Sequence, residues 1–469
     1  MMKNVYLAAD FGGGSGRVYA GHITDAHHGK QLVIREVHRF RNRTVRIGEF
    51  IYWDFPWLFY ELKAGLAKAA GEEDNIVSIG IDTWGVDFGL IDSKGNLIGN
   101  PVCYRDAHTS GLPEEYFSGD KAVALYGVTG IQMLPINTLF RLLSMYKAGD
   151  PRLKIADRLL FMPDLFSYYL TGNADNEYTI ATTSELLNAR TKDWDEELIA
   201  RLGFDKGLFG KIIMPGQSRG ALLPYVASET GLSPEVKVVA VPSHDTASAI
   251  FAADADYERD GVAFLSSGTW SLLGVTLSEP ILSEEAREGG FTNEGGADGK
   301  ICFLSNITGL WILQCLTAEW EKQGTATDWG QLIAEAAKAE QVGVIDVDDP
   351  VFSYPDNMSK AIADYCAEHG LRRPATKGEY VLCVCESLAS RYAKAVEELN
   401  RLLPSPVKGL KIFGGGAKNT LLNELTARYT GLPVQVWPEE ATAIGNILSQ
   451  AIAAGDINDR AEIKDIKTL

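Results

Sequence analysis

The feature that most constrains the fold is a strand–turn–strand unit that occurs twice in the chain. Val5 to Ala9 is an apolar run that leads into the polar turn Asp10–Arg17, and a second strand follows. Gly261 to Leu265 repeats the pattern and leads into the turn Ser266–Ser271, again with a strand after it. A supersecondary unit that recurs at long range indicates two homologous α/β halves. We expect a cleft between the faces that carry the two turns.

The length of the chain supports this division. At 469 residues it exceeds the size at which one hydrophobic core stops growing. The sequence predicts an N-terminal domain over 1–246 and a C-terminal domain over 247–469, with the last helix packing back on the first domain. The strand-and-helix pattern of both halves is typical of the α/β class.

Charge and cysteine content restrict the partners. Lys and Arg number 44 against 62 Asp and Glu, so the net charge is −18, which argues against nucleic acid or an anionic membrane. A phosphate must therefore be held locally, by backbone N–H groups and a metal. The six scattered cysteines favour reduced thiols, and no segment reads as a signal peptide or membrane span. We expect a cytoplasmic protein, a monomer or small homo-oligomer, that acts on small molecules.

Asp245 is the first candidate catalytic residue. The β-branched run 236–241 predicts a buried strand, which Pro242 ends, and small residues at helical spacing begin near Asp245 or Thr246. A carboxylate at the end of a strand and the start of a helix lies where open α/β folds bind ligands. The alternative from local sequence alone is that Asp245 only caps the helix.

The first turn can bind an anion. Its four glycines and one serine leave backbone N–H groups free to surround a phosphate. The chain contains no G-x-G-x-x-G or P-loop sequence, so those nucleotide-binding folds lose their support. Asp10, directly before the glycines, is placed to hold Mg²⁺ through water, and Arg17 follows them. The alternative is a simple hairpin turn.

A second polar cluster predicts a sugar site. Asp82 and Asp87 flank Trp84 between two strands over 76–92. The face of an indole can cover the C–H groups of a sugar while carboxylates accept its hydroxyls. Arg105, in a further polar cluster at the end of a strand, is also a candidate sugar contact.

Three stretches of the second half are further candidate binding segments. Ser266–Thr269 is expected to form a second phosphate loop opposite the first. Asn306 and Gln314 belong to a polar turn that feeds an apolar helix, where a glutamine is more often structural than ligand-binding. Gly414–Gly416 joins a strand to a helix and lets backbone approach an adenine nucleotide, although a plain tight turn would look the same.

Taken together and in this order, these segments resemble the FGGY family of carbohydrate kinases over nearly the whole chain. The resemblance rests on linked motifs rather than on one glycine loop. They are Asp10–Arg17, Ile81–Phe88, Tyr104–Asp106, Met162–Tyr169, Ser243–Ser248, Leu265–Ser271, Thr292–Gly296, Asn306–Gln314 and Gly414–Thr420. The resemblance implies two ribonuclease-H-like (actin-like ATPase) domains with a deep interdomain cleft. It also implies transfer of the γ-phosphoryl group of ATP, with Mg²⁺, to O1 of a ketose.

The resemblance also implies roles for individual positions. The expected ATP contacts are Gly13, Gly14, Ser15, Gly16, Arg17, Thr269, Gln314 and Gly415. The expected sugar contacts are Gly85, His244, Asp245, Thr246 and Asn306, with Asp245 as the base. Related kinases often carry Ala or Ser where this chain has Gly13 and Gly14, which loosens the loop but keeps its N–H groups.

Two other classes of protein share parts of this pattern. An actin- or Hsp70-like nucleotide switch would have two such domains but no small acceptor, and the polar cluster around Trp84 speaks against it. A sugar sensor without catalysis is disfavoured by Asp245 and by both phosphate loops. The residues alone do not define the stereochemistry of the sugar.

Overall fold

The computed structural model describes residues 3–26, 29–324, 327–353 and 355–468. Within those residues the strands, numbered in chain order, are β1 (Val5–Phe11), β2 (Ser15–Ala26), β3 (Gly29–Arg41), β4 (Thr44–Ile47), β5 (Phe50–Trp53), β6 (Ile76–Thr83), β7 (Phe88–Asp92), β8 (Ala156–Phe161), β9 (Asn176–Glu177), β10 (Leu187–Asn188), β11 (Asp193–Trp194), β12 (Ile212–Ile213), β13 (Ser218–Ala221), β14 (Lys237–Val239), β15 (Val262–Ser267), β16 (Trp270–Leu277), β17 (Phe291–Gly295), β18 (Ile301–Thr308), β19 (Gly409–Phe413), β20 (Val434–Val436) and β21 (Lys467–Thr468).

The α-helices of the described residues pack on the sheets. They are α1 (Phe55–Glu72), α2 (Leu112–Tyr116), α3 (Asp120–Thr129), α4 (Thr138–Lys147), α5 (Arg152–Ile155), α6 (Met162–Thr171), α7 (Tyr178–Thr182), α8 (Glu196–Arg201), α9 (Pro224–Thr230), α10 (Asp245–Ala253), α11 (Tyr257–Asp260), α12 (Glu284–Glu288), α13 (Trp311–Lys322), α14 (Trp329–Ala336), α15 (Met358–Glu368), α16 (Lys377–Leu402), α17 (Thr420–Thr430) and α18 (Ala441–Ala454).

The first large sheet is organised around β1, which is buried at every position. β1, β2 and β3 form an antiparallel meander, and β6 and β14 continue the sheet parallel to β1. The full order is β13-β14-β6-β1-β2-β3-β21. A strand buried on both faces must be almost wholly apolar, as β1 is apart from Asp10.

The second large sheet repeats this arrangement. β15, β16 and β18 form an antiparallel meander, and β19 and β20 follow parallel to β15, in the order β17-β18-β16-β15-β19-β20. The prediction of two halves with the same frame is therefore confirmed. In both halves the turn between the first two strands lies at the end of the buried central strand.

Both turns are shorter than the sequence suggested. β1 continues to Phe11 and β2 begins at Ser15, so the first turn comprises Gly12 to Gly14 alone. In the second half only Gly268 and Thr269 lie between β15 and β16. The predictions of longer turns were wrong because strand pairing extends across polar residues: Asp10 pairs with Arg17 and Ser267 with Ser271.

The pattern from Leu139 to Leu170 predicts helices, one of which begins at Met162 and ends at Thr171, but the structure has a strand within this region. β8 separates α5 from α6 and pairs antiparallel with β7. Its sequence, ADRLLF, has no period that separates a buried strand from a helix, and the pairing with β7 is a long-range contact. The predicted start and end of α6 at Met162 and Thr171 are correct.

Two helices pack closely between the sheets. A side chain at Gly445 of α18 would place its Cβ 1.9 Å from the carbonyl oxygen of Ser248 in α10, so only glycine allows this approach. Ser248 Oγ donates to the Thr442 carbonyl at 2.9 Å. α18 also reaches the first sheet, where Gln450 Nε2 donates to the Leu7 carbonyl at 3.0 Å.

The polar sequence from Ile457 onward predicts a peripheral tail, but the structure shows otherwise. Ile457 and Ile463 are buried, and β21 pairs parallel with β3 at the edge of the first sheet. A polar tail with three isoleucines gives little local signal for such a pairing. The described cysteines are free, and Cys383 and Cys385 are buried in α16.

Candidate active site

Asp245 is the first residue of α10 and lies in the cleft between the two sheets. The residue at the N-cap is His244, whose side chain makes no capping bond. Asp245 Oδ1 accepts from the N–H of Thr246 at 2.6 Å, the adjacent residue, whereas a cap bonds two or three residues ahead. The alternative that Asp245 only caps the helix is therefore not what the structure shows.

The backbone before Asp245 is fixed by a buried carboxylate. Glu177 Oε2 accepts from the N–H of Ser243 at 3.1 Å and from Thr179 Oγ1 at 2.6 Å. Thr179 Oγ1 in turn accepts from the N–H of His244 at 3.1 Å. The N–H of Thr83 donates to the Ser243 carbonyl at 2.8 Å, which joins this turn to the end of β6. Asp245 thus projects from a turn held on two sides.

Asp245 has the environment of a base. Its side chain is 31% exposed, although neighbouring groups surround it. Burial raises the pKa of Asp245, and the charge of His244 opposes that effect. A carboxylate whose pKa is moved toward neutrality accepts a proton more readily while still ionised.

His244 lies between two carboxylates. Its Nε2 is 3.6 Å from Asp245 Oδ1, and its Nδ1 is 3.2 Å from Glu294 Oε2. Burial alone would lower the pKa of His244, but Glu294 and then Asp245 outweigh burial and raise the pKa to about 9. The imidazole is therefore a cation at neutral pH.

Asp10 and Asp82 lie side by side on the parallel strands β1 and β6, where they are register partners. Burial raises the pKa of Asp10 to about 6, against the opposing charge of Arg17. Burial and then the charge of Asp10 raise the pKa of Asp82 well above its usual range. Asp82 Oδ2 accepts from Asn446 Nδ2 at 2.6 Å, and Asp82 Oδ1 is buried without a partner among the described residues. Asp82 thus lies beside Asp10 and binds Asn446, and these contacts do not support the sugar role expected for it.

The first turn offers backbone donors and one unpaired cation. Among the described residues the N–H groups of Gly13 and Gly14 have no protein acceptor, whereas the N–H of Gly12 closes the turn onto the Ser15 carbonyl at 3.0 Å. Arg17 Nε is buried without a partner in the described part of the chain. Gly16 has another reason to be glycine, since a Cβ there would lie 2.2 Å from the ring of Phe40.

Arg105 contacts this same turn. Its Nη2 donates to the Gly13 carbonyl at 3.1 Å, and a Cβ at Gly13 would lie 2.8 Å from the hydroxyl of Tyr104. The structure therefore places Arg105 at the glycine turn, where the sequence suggested a sugar contact.

Two residues expected to bind ATP meet at the second turn. Thr269 Oγ1 lies 3.2 Å from Gln314 Oε1 and donates to it. Gln314 is in the first turn of α13, and Asn306 lies in β18, so the prediction that both belong to one turn and helix was wrong. The turn between β18 and α13 folds back on the second turn instead: the N–H of Leu310 donates to the Gly268 carbonyl at 2.8 Å.

The three glycines after β19 differ in what surrounds them. Gly414 has φ +86°, and a Cβ there would lie 2.8 Å from the Ser267 carbonyl oxygen. A Cβ at Gly416 would lie 2.0 Å from Ser267 Oγ. Gly415 has nothing within 4 Å of that position. Packing explains two of the glycines, and Gly415 is the one whose backbone is open to a ligand.

Glu439 lies near charged groups of both halves. Lys418, in the short 3-10 helix Gly415–Lys418, pairs with Glu439 at 2.8 Å. The bond from Lys418 and the charge of Arg17 both lower the pKa of Glu439. Glu439 thus links Arg17 of the first half to Lys418, at the end of the 3-10 helix that follows β19.

Gly85 lies in a strained turn beside Thr183. The N–H of Asp87 donates to the Gly85 carbonyl at 2.8 Å, and Val86 between them has φ +64°. A β-branched residue with positive φ is an outlier that persists only where its surroundings enforce it. Thr183 Oγ1 accepts from the N–H of Val86 at 2.9 Å, and Thr138 Oγ1 donates to its carbonyl at 2.7 Å.

The expected sugar cluster around Trp84 is largely structural. Asp87 is buried, and its Oδ2 accepts from the indole N–H groups of Trp53 at 2.5 Å and Trp84 at 2.9 Å. Asp87 Oδ1 pairs with Arg141. Trp84 packs against Trp53 with ring centroids 4.1 Å apart. The polar atoms of these side chains already have partners within the protein. We therefore do not assign Trp84 or Asp87 to the sugar site.

Sequence reasoning missed the residues that orient the site. Glu294 contacts His244, Glu177 fixes the turn before Asp245, and Gln132 Oε1 accepts from Asn306 Nδ2 at 3.0 Å. Each acts across a long separation in the chain. The only sequence signal was that Glu177 and Glu294 lie in short segments rich in small and polar residues.

Comparison with known proteins identifies the class. The models of the FGGY family of carbohydrate kinases match residues 5–252 (N-terminal domain) and 263–454 (C-terminal domain). The chain belongs to this family and is a carbohydrate kinase, as the motifs predicted. Solved structures agree in fold. Gluconate kinase from Lactobacillus acidophilus has a TM-score of 0.80 at 16% identity, with 98% of this chain and 91% of that chain covered. Plasmodium falciparum glycerol kinase with ADP has a TM-score of 0.80 at 15% identity, with 98% and 92% covered.

More similar relatives are rhamnulokinases. That of Bacteroides thetaiotaomicron is 41% identical over 466 residues, which cover 99% of this chain and 94% of that protein. That of Halalkalibacterium halodurans is 39% identical over 454 residues, which cover 97% of this chain and 94% of that protein. No helix within the described residues has the length and apolar character needed to cross a membrane.

Proposed function

We propose that this kinase transfers the γ-phosphoryl group of ATP to O1 of L-rhamnulose and releases L-rhamnulose 1-phosphate and ADP. The rhamnulokinases compared above support the choice of sugar. The observation that carries the chemistry is the position of Asp245. Its carboxylate lies in the cleft beside a cationic imidazole, with its own pKa raised by burial.

Asp245 would act as the general base. As the bond from O1 to the γ-phosphorus forms and the bond from that phosphorus to the β,γ-bridging oxygen breaks, the O1 proton passes to the Asp245 carboxylate. Phosphoryl transfer needs little covalent help from the protein, so alignment and charge stabilisation supply most of the catalysis. An interdomain cleft that excludes water directs transfer to the sugar instead of to water.

On the nucleotide side, both turns would bind ATP. The N–H groups of Gly13, Gly14 and Ser15 suit phosphate oxygens, and Arg17 supplies the unpaired charge-assisted donor. Thr269 and Gln314 of the second half form a joined polar pair, and Gly415 leaves space for the nucleoside. Gly16 serves mainly the packing of Phe40.

On the sugar side, Gly85, His244, Thr246 and Asn306 would contact the ketose with Asp245. Asn306 is already held by Gln132, and Gly85 by the strained turn at Val86. A binding site whose side chains are fixed before the ligand arrives loses less entropy on binding.

Mg²⁺ is expected to accompany ATP, and the residues present fit it in one way. Within the described residues no group of three His, Cys, Asp or Glu could enclose a metal. Asp10 supports this site, because it is a buried carboxylate beside the first turn and burial raises its pKa to about 6. Asp10 would hold the ion through water, and the ion would neutralise phosphate charge.

The free thiols of the described cysteines support a reducing compartment, and we place the enzyme in the cytoplasm as a monomer or small homo-oligomer.

The experiment is a panel of ketoses, each tested for ATP-dependent ADP release with the product identified by ³¹P NMR. We expect L-rhamnulose to give the highest kcat/KM and a phosphate ester on C1. A higher kcat/KM with L-fuculose or a xylulose would replace the proposed sugar and leave the mechanism intact. ADP release at the same rate with no ketose would contradict the mechanism itself.

A further inference from the structure

A chain of three ionisable side chains crosses the cleft. Asp245 Oδ1, His244 and Glu294 Oε2 follow one another at 3.6 and 3.2 Å, the first two on α10 and the turn before it, and Glu294 on β17. The side chains of His244 and Glu294 are 11% and 13% exposed. Among the described residues, His244 is the only ion-pair partner of Glu294.

The contact between His244 and Glu294 is an ion pair rather than an aligned hydrogen bond. The atoms are 3.2 Å apart, yet Nδ1 of His244 makes no well-directed hydrogen bond in the described part of the chain. Opposite charges at this distance attract strongly where water is scarce, whatever the angle. The pair therefore fixes which edge of the imidazole turns to the second half.

One short helix anchors both ends of the chain. Thr179 Oγ1 of α7 accepts from the N–H of His244 at 3.1 Å. Thr182 Oγ1 of α7 accepts from the N–H of Gly295 at 2.8 Å, directly after Glu294. α7 thus holds the backbones of the imidazole and of the carboxylate at a set spacing.

The charges around His244 come from each element that packs on it. Glu294 faces it from β17, Asp245 from α10 and Glu177 from the end of β9, and all three favour the charged imidazole. Asp10 and Asp82, which also face Asp245, and Arg17 beyond them complete the set. Of these, Glu294 has the largest influence on His244.

We propose that Glu294 is a positioning residue, which holds the His244 imidazolium by Nδ1 so that its Nε2–H is directed at the ketose and at Asp245. The proposal deepens the proposed function and rests on it for the identity of the sugar. Glu294 acts through His244, and the cation so held also stabilises the ionised form of the Asp245 carboxylate. A ketose oxygen that accepts from Nε2–H gains a charge-assisted hydrogen bond.

The first test reads the imidazole directly, with no substrate present. Histidine-labelled protein is titrated by NMR, and the His244 signal is assigned as the one lost in His244→Gln. We expect His244 to stay charged to about pH 9 in the wild type and its midpoint to fall by at least about one pH unit in Glu294→Gln. The control Glu285→Gln, an exposed carboxylate on α12, should leave the midpoint unchanged. An unchanged midpoint in Glu294→Gln overturns the proposal.

The second test measures kinetics. Glu294→Gln should raise the KM for the ketose about 10- to 100-fold, as expected for a lost charge-assisted bond, and leave the KM for ATP unchanged. In a His244→Gln background the same change should have little further effect, because Glu294 acts through His244. Additive effects, or equal changes in both KM values, would overturn the proposal.

A second variant covers the case in which Glu294→Gln does not fold, which its thermal unfolding would show. Glu294→Asp keeps the charge on a shorter arm, so His244 should remain cationic while the ketose KM rises. An unaltered ketose KM in this variant would contradict the positioning role. Because the NMR titration uses no sugar, a wrong ketose and a wrong role for Glu294 are told apart.

Discussion

The two halves of the molecule share one frame but differ in charge at equivalent positions. Counting back from each turn along the strand pairing, Asp10 with Arg17 in the first half corresponds to Ser266 with Leu272 in the second. The first turn thus has a buried carboxylate and an arginine behind it, and the second has a hydroxyl and an apolar residue. The same backbone frame therefore carries different charges in the two halves, since side chains and not topology set the electrostatics behind each turn.

The largest expected effect comes from Asp245, the proposed general base. Asp245→Asn should lower kcat by about 10²- to 10⁴-fold, the usual contribution of a general base, with a small change in the ketose KM. Steady-state kinetics with both substrates varied measures this. Turnover near that of the wild type would remove Asp245 from the chemistry.

The second prediction concerns the cost of the buried charge at Asp10. Its folded-state pKa of about 6 exceeds the ordinary value of 3.8, so the folded state binds more protons and stability falls as pH rises from about 4 to 6. Asp10→Asn should remove this penalty. The free energy of unfolding of the variant, relative to that of the wild type, should therefore rise by roughly 2 kcal/mol between pH 4 and pH 7. Denaturant unfolding at several pH values measures it. The matched change Ser266→Ala should alter the free energy of unfolding by an amount that does not vary with pH. If Asp10→Asn and Ser266→Ala gave the same pH dependence, the contrast between the two halves would be lost.

The third prediction tests the unpaired cation of the first turn. Arg17→Gln should lower kcat/KM for ATP by about 10- to 50-fold, because a charged donor to phosphate is lost, and leave the ketose KM unchanged. Arg39→Gln is the control. Arg39 on β3 is the register partner of Arg17 on β2, but its guanidinium binds the exposed Glu36. Equal losses in the two variants would mean that overall charge, and not a phosphate contact, matters.

The smallest effect is expected at the neutral second turn. Thr269→Val keeps the shape of the side chain and removes the hydroxyl bonded to Gln314, so the KM for ATP should rise about 3- to 10-fold. Thr317→Val removes a hydroxyl further along α13 and should have no such effect. An effect confined to the ketose would contradict the assignment of this turn to the nucleotide.

The sequence predicted the duplicated frame because its signals are local. Apolar runs such as β1 and β15, and the helix that begins at Asp245, are defined by neighbouring residues. The exact turns were less predictable, since Asp10 and Ser267 are polar and yet paired in strands. Strand β8 and the pairing of β21 depend on partners far away in the chain, which periodicity does not reveal.

For the site, the motifs located single residues well, but they did not reveal which partners surround those residues. Asp245 begins a helix and Thr269 lies in a turn, as their motifs predicted, whereas Arg17 lies inside β2 and not in the turn. The pair Trp84 and Asp87 looked like a sugar platform, but Trp53 and Arg141 occupy its polar groups. Glu294 lies in the motif Thr292–Gly296, but the motif predicted no role for it, because its importance comes from His244 across the cleft.

The measurement that tests the account most directly is ADP formation at saturating ATP, with and without L-rhamnulose, in the wild type and in Asp245→Asn. If the two halves hold one nucleotide against a sugar presented to Asp245, the ketose should speed ADP release by at least about a thousandfold, and the variant should lose most of that gain. A wild-type rate that is the same with and without the ketose would show that water, and no sugar, accepts the phosphoryl group.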